Sequence, residues 1–181
     1  YITMPYNELV PLTPSATPAN YVFRGNSIFD PNFTGTGHQP MFHDPYSNIY
    51  DRYYVTSSTI RVEITTDEAE PIIAVLYPSN ASSPIGVIDQ AVEQPRSVFH
   101  TKSRNGDKCV LKNSCSSKAI RGVDILRDDG QSALFSSNPA NQWFWHITLQ
   151  NMDLLTTTTV YINVRILYNC VLYRKLQGVL S

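Results

Sequence analysis

Charged residues are scarce in this sequence, and neither sign dominates. They make up 16% of the 181 residues, and the formal net charge at pH 7 is −1. A dedicated nucleic-acid-binding domain is normally strongly basic, so the overall balance argues against that class. A polar but weakly charged surface with 11 tyrosines is typical of a chain that neighbouring subunits cover.

Cysteines and long apolar runs are scarce as well. The cysteines Cys109, Cys115 and Cys170 make no paired framework, and a chain of this length does not need disulfides to stabilise its core. We therefore expect free thiols. No apolar run approaches the roughly 18 residues that span a bilayer, and no signal-peptide pattern opens the chain, so we expect no membrane partner.

Sequence motifs for catalysis and for metal or cofactor binding are missing. The four histidines, His38, His43, His100 and His146, lack the spacing of a ligand pair. No nucleophile elbow, phosphate-binding glycine loop or dinucleotide fingerprint is present. The acidic clusters at 67–70 and 128–129 lack the spacing of a calcium loop, and nothing indicates the facing carboxylates of a glycosidase. We expect no cofactor and no enzymatic activity.

The patterns that are present are those of β-strands separated by proline and glycine. Residues 59–65 alternate between apolar and polar, and 72–77 form an apolar run between two prolines. Residues 143–149 place both tryptophans on one face, and 157–175 alternate for so long that the strand must bend or bulge. We interpret 151–156 as a hairpin between these last two strands. Residues 85–94 predict the one short helix.

These patterns predict an all-β protein with an antiparallel β-sandwich of the Greek-key or jelly-roll kind. No shift in composition marks a domain boundary, so residues 1–181 are expected to form a single domain. Residues 1–20 are expected to be an extended N-terminal segment of that domain.

One segment departs from the even charge balance, and we call it the basic segment. Its members are opposed only by Asp107; they are Arg96, Lys102, Arg104, Lys108, Lys112, Lys118 and Arg121. Such a cluster predicts contact with the phosphates of a nucleic acid or with a sulfated glycan. The alternative is an ordinary solvated pair of strands.

The segment 21–64 carries a resemblance to a known family. Residues 23–32 (FRGNSIFDPN), 34–40 (TGTGHQP) and the tyrosines at 50, 53 and 54 resemble capsid proteins of small circular Rep-encoding single-stranded DNA viruses. Residues 117–122 and the tryptophan strand also resemble that family. The residues that we call the family-like motif are Arg24, Gly25, Asn26, Asp30, Pro31, Gly35, Gly37 and Pro40. Asp-Pro initiates a turn, and the glycines permit positive φ.

The resemblance implies a single eight-stranded jelly roll that assembles with itself into a small icosahedral T=1 shell of about sixty copies. It implies a circular single-stranded DNA genome, a place in the virion, and assembly in the host nucleus. It also implies a basic N-terminal arm that binds the genome. Since no run of arginine or lysine opens the sequence, we expect that arm to precede Tyr1. The receptor or receptor glycan is not indicated.

Two other functions fit the same strands. A jelly-roll lectin or carbohydrate-binding module would stack exposed aromatic side chains on sugar rings. A capsid protein of a small RNA virus would use the same single jelly roll, and only the loop motifs favour DNA over RNA.

Overall fold

The computed structural model describes residues 1–65, 70–103, 108–124 and 128–176. The elements within those ranges are β1 (Ile2–Leu12), β2 (Ala19–Arg24), α1 (His43–Ser47), β3 (Tyr50–Thr65), β4 (Ile72–Ser79), α2 (Ile88–Val92), β5 (Val98–Lys102), β6 (Cys109–Ser116), α3 (Ser117–Arg121), a 3-10 turn (Asp129–Gln131), β7 (Ser132–Leu134), β8 (Phe144–Asn151) and β9 (Val160–Lys175). None of these helices has the length and apolar character needed to cross a membrane.

The strands form two antiparallel sheets that pack into a sandwich. The five-stranded sheet has the order β1-β9-β3-β6, with the short β7 pairing with β3, and the four-stranded sheet has the order β2-β8-β4-β5. With β7 set aside, eight main strands are shared equally between the two sheets, which is the jelly-roll arrangement. The prediction of an all-β jelly roll is confirmed.

The core lies between the inner faces of the two sheets and is built around the two tryptophans. Trp143 and Trp145 are fully buried. Trp143 Nε1 donates to Ser117 Oγ and Trp145 Nε1 donates to Ser58 Oγ, each at 2.9 Å. Both indole N–H groups therefore have partners inside an otherwise apolar core, and neither tryptophan carries the cost of a buried, unpaired donor.

Residues 151–156 do not form a hairpin, so that prediction was wrong. β8 belongs to the four-stranded sheet and β9 to the five-stranded sheet, and the connection crosses from one layer to the other. Asn151 stabilises the crossing because its Nδ2 donates to Thr156 O and Thr158 Oγ1, both at 2.9 Å. β8 and β9 present their apolar faces to the core from opposite sides. Two strands paired side by side in one sheet could not do so.

Two features differ from the sequence-based expectations. Pro78 lies inside β4 rather than beyond it, because β5 pairs with β4 only as far as Leu76 and leaves one side of Pro78 without a strand partner. The predicted helix is shorter, spanning Ile88–Val92, and it is not the one short helix, since α1 and α3 are also present. Within the N-terminal segment 1–20, β1 pairs with β9 along its whole length and buries Met4.

The outer faces of the two sheets differ in exposure. On the four-stranded sheet, Val75, Tyr77 and His146 are buried, and α2 with its flanking residues packs over Val75 and Tyr77. On the five-stranded sheet, the outward side chains of β1, β9, β3 and β6 are exposed or half-buried. Of the sheet faces in the described ranges, this one is the open face.

Candidate functional site

Arg24 is the centre of the family-like motif. Its Nη1 donates to Asp30 Oδ2 and Asp30 O at 2.8 Å and to Asn32 O at 2.9 Å, and its Nε donates to Gln142 Oε1 at 2.8 Å. The guanidinium carbon also lies 5.0 Å from the ring centroid of Phe33. Such a planar five-donor group can join several acceptors at once, so Arg24 ties the loop 25–33 to the end of β2.

Gly25 and Asn26 attach that loop to the tryptophan strand. A Cβ at Gly25 would lie under 3.0 Å from the ring of Trp143, so only glycine fits there. Asn26 is buried; its Nδ2 donates to Asn141 O at 2.9 Å, and its Oδ1 accepts from Trp143 N at 3.0 Å. These two positions fix where β8 begins.

The remaining motif positions shape the glycine-rich loop. Gly35 has φ +75°, as expected, whereas Gly37 does not have a positive φ; a Cβ at Gly37 would instead lie under 3.0 Å from the hydroxyl of Tyr6. Pro31 O accepts from Arg24 N at 2.7 Å, and Pro40 O accepts from His43 N at 3.1 Å. The family-like motif is thus a scaffold of turns and clamps.

The structure does not place all the described members of the basic segment on one surface. Lys102 is buried at the end of β5, whereas Lys112 points outward from β6 in the other sheet. Lys118 lies in α3 and pairs with Asp124 at 3.3 Å. The other members are Arg96 after α2, Lys108 before β6, Arg121 at the end of α3, and Arg104, which lies outside the described residues.

Lys112 instead belongs to a line of cations across the open face, which we call the cationic row. The strand registers place Arg165 of β9 opposite Arg61 of β3, and Arg61 opposite Lys112 of β6. Asn7 of β1 lies opposite Arg165 and continues the line. The alternation of β3 and β9 indicated that both arginines face outward, but their alignment depends on the register, which the sequence pattern does not determine.

Metal binding and thiol chemistry find no support in the described ranges. They contain no group of three or more histidine, cysteine, aspartate or glutamate residues arranged to hold a metal ion. Cys109, Cys115 and Cys170 are free and buried, which confirms the expectation of free thiols. Burial raises the pKa of the Cys109 thiol to about 11, so this group stays protonated and unreactive near neutral pH.

A buried histidine lies under the covered face of the four-stranded sheet. The ring of His146 stacks on Tyr77 with centroids 4.9 Å apart, and its Nε2 lies 2.8 Å from Ala81 O. Because that carbonyl can only accept, Nε2 carries a hydrogen, and Nδ1 has no partner in the described ranges. Burial lowers the pKa of His146 below its usual value of 6.5, against the opposing effect of the Ala81 bond.

We expect His146 to make the fold acid-sensitive. The unfolded histidine takes up a proton below pH 6.5, whereas the folded one does not until its lower pKa is reached. This contribution to stability is fully present above pH 6.5, the unfolded value. Below pH 6.5 it falls by up to about 1.4 kcal/mol per pH unit. His146→Gln keeps an N–H donor but does not titrate, so its unfolding free energy should depend less on pH below 6.5. Denaturant titrations across that range test this, and parallel pH profiles would contradict it.

Comparisons with known proteins identify the fold. No family model and no curated protein matches this chain. A solved chain of turnip yellow mosaic virus matches with a TM-score of 0.51 and 13% identity over 96% of this chain and 94% of that one. A chain from an expanded equine rhinitis A virus particle, a picornavirus capsid, matches with a TM-score of 0.50 and 10% identity over 94% of this chain and 73% of that one. This chain has the jelly-roll fold of viral capsid proteins.

Proposed function

We propose that this protein is the subunit of a small icosahedral viral shell and that its role is self-assembly. The observation that carries the proposal is the fold: one jelly roll that aligns over nearly the whole of a solved virus chain, 96% of this chain and 94% of the other. The low charge and the abundant tyrosine support it, because they suit a surface that neighbouring copies cover.

Exposed apolar side chains at two places supply candidate contacts between copies. In the β8–β9 connection, Leu155 is 91% exposed, and Met152 and Leu154 are more than half exposed. Beside the middle of β1, where Met41 N donates to Pro5 O at 3.2 Å, Met41 and Phe42 are also more than half exposed. Heterologous contacts of different patches around rotation axes generate closed rings, and these are the two patches that we assign to them.

The shell that we propose is of the T=1 kind, with about sixty copies around a circular single-stranded DNA genome. The family-like motif supports the DNA genome, since its order of turns and glycines resembles the circular-DNA virus capsid proteins. The protein resides in the virion and assembles in the host nucleus.

Particle formation tests the shell directly. The purified chain should form uniform particles about 200 Å across in negative-stain microscopy and elute accordingly from a sizing column. A monomer of 20.4 kDa at every salt concentration and pH would overturn the proposal in favour of a carbohydrate-binding module.

Leu155→Asp should abolish those particles without affecting the fold. A charge at this exposed position disrupts an apolar contact between copies, while surface substitutions usually change stability by no more than about 0.5 kcal/mol. Leu9→Asp is the matched control, since Leu9 is exposed on the open face, and its particles should persist. Particles that tolerate both changes would exclude the β8–β9 connection from the contacts.

The nucleic acid inside native particles tests the genome. After external nuclease treatment, the extracted material should be degraded by deoxyribonuclease and resist ribonuclease. RNA would overturn the DNA assignment and leave the shell proposal intact.

A further inference from the structure

The open face of the five-stranded sheet carries a positive charge that the chain as a whole does not have. The cations that alternate with buried residues on its strands are Arg52, Arg61, Lys112 and Arg165. Among the described residues of these strands, Glu63 is the one acidic side chain in such an outward position. This face therefore carries more cations than carboxylates in a chain whose net charge is −1.

The cationic row is unfavourable for the isolated chain. Like charges directly opposite each other on neighbouring strands destabilise a sheet, and Arg61 has such a neighbour on both sides. Glu63 pairs with Arg61 at 2.5 Å, and within the described ranges Lys112 and Arg165 have no ion pair. A polyanion laid across the row would relieve this repulsion.

Uncharged groups suited to a nucleotide lie beside the row. Arg165, Arg61 and Glu63 line a cleft of about 350 Å³ together with the amides of Asn7 and Asn163. Tyr161 faces outward from the same strand and is 52% exposed. At about 3.4 Å per residue, it lies some 14 Å from Arg165 along β9, within reach of a nucleotide next to the one at the row.

We infer that the open face binds the phosphate backbone of a single-stranded nucleic acid. The cationic row contacts successive phosphates, Tyr161 stacks on a base, and the amides of Asn7 and Asn163 offer donors and acceptors to base edges. A positive groove combined with an exposed aromatic ring is the usual means of holding a single strand without sequence preference. The inference rests on the proposed shell and assigns the shell a genome contact within the folded domain.

The cationic row is tested by binding of a fluorescent oligothymidylate to the purified chain. Anisotropy measures this binding over a range of salt concentrations. Arg165→Gln/Lys112→Gln should weaken binding at least tenfold at low salt. It should also make the negative slope of log K against log salt shallower by about 1.4, which corresponds to the loss of two phosphate contacts. The control Arg96→Gln/Lys118→Gln removes the same charge from outside the open face and should stay within about twofold of the parent.

Tyr161→Leu tests the stacking contact separately. It should weaken binding about fivefold or more while leaving the salt slope unchanged, because it removes a base contact and no charge. The same variants are also titrated with a sulfated polysaccharide. If the row variants bind the polysaccharide more weakly than the parent does, and Tyr161→Leu does not change oligonucleotide binding, the inference is wrong and the face is a glycan site. Equal weakening by the row and control variants would also overturn it.

Two readouts separate this inference from a structural role and from the proposed shell. The row variants should melt at the parent temperature or above it, since they remove like-charge repulsion; a lower melting temperature would indicate a structural role. Shells without row-dependent binding would overturn only the nucleic-acid face. Row-dependent binding by a chain that never forms particles would overturn only the shell.

Discussion

Gly25→Ala should destabilise the protein by about 3 kcal/mol or more, because it places a methyl group where the indole of Trp143 already lies. The added carbon would fall under 3.0 Å from three ring atoms of Trp143. That ring cannot move aside easily, since it is fully buried and Ser117 Oγ accepts its N–H at 2.9 Å. The free energy of unfolding of a typical domain is about 5 to 15 kcal/mol, so such a loss would leave the fold only marginally stable.

Denaturant unfolding of the purified variant measures this change. The matched control is Gly86→Ala, where no atom lies within 4 Å of the new Cβ and the stability should change by less than about 0.5 kcal/mol. Trp143→Phe supplies a smaller ring, so the double variant should lose less than the sum of the two single losses. Equal losses at Gly25 and Gly86 would refute the close contact.

The alternation of residues along the chain predicted which side chains face the core. Residues 143–149 place both tryptophans inside, and 59–65 place Ile60, Val62 and Ile64 inside, because alternation is a local property of an extended chain. Partner choice is not local. The connection 151–156 is short enough for a hairpin, yet it joins different sheets, since both of its strands need an apolar face towards one shared core.

The candidate site shows the same division between local and long-range information. The basic segment is continuous in sequence, but the fold sends Lys102 to the core and Lys112 to the open face. Conversely, the cationic row draws on three strands far apart in the chain and is aligned only by their register. The positive φ of Gly35 could be predicted because it depends on the backbone preference of that residue alone; the turn expected at Asp30-Pro31 lies instead at residues 33–34.

Arg24→Ala should destabilise the fold by about 3 kcal/mol, the second large effect that we expect. The side chains of Arg24 and Asp30 are only 11% and 23% exposed, so removing the cation leaves a largely desolvated carboxylate without its partner. The carbonyls of Asp30 and Asn32 and the amide oxygen of Gln142 lose a donor at the same time. Arg24→Lys keeps the charge but not the planar fork, and it should recover less than half of the loss.

The matched comparison for Arg24 is the exposed ion pair of Arg61 with Glu63, whose side chains are 52% and 42% exposed. Water screens such a pair, so Arg61→Ala should change the unfolding free energy by less than about 1 kcal/mol. Both alanine variants are unfolded by denaturant under identical conditions. If Arg24→Ala loses no more than Arg61→Ala, the loop 25–33 does not depend on the guanidinium. A clearly larger loss of unfolding free energy for Arg24→Ala would give the family-like motif a physical basis. Arg24 joins β2 to the loop, and the next residue, Gly25, packs against Trp143.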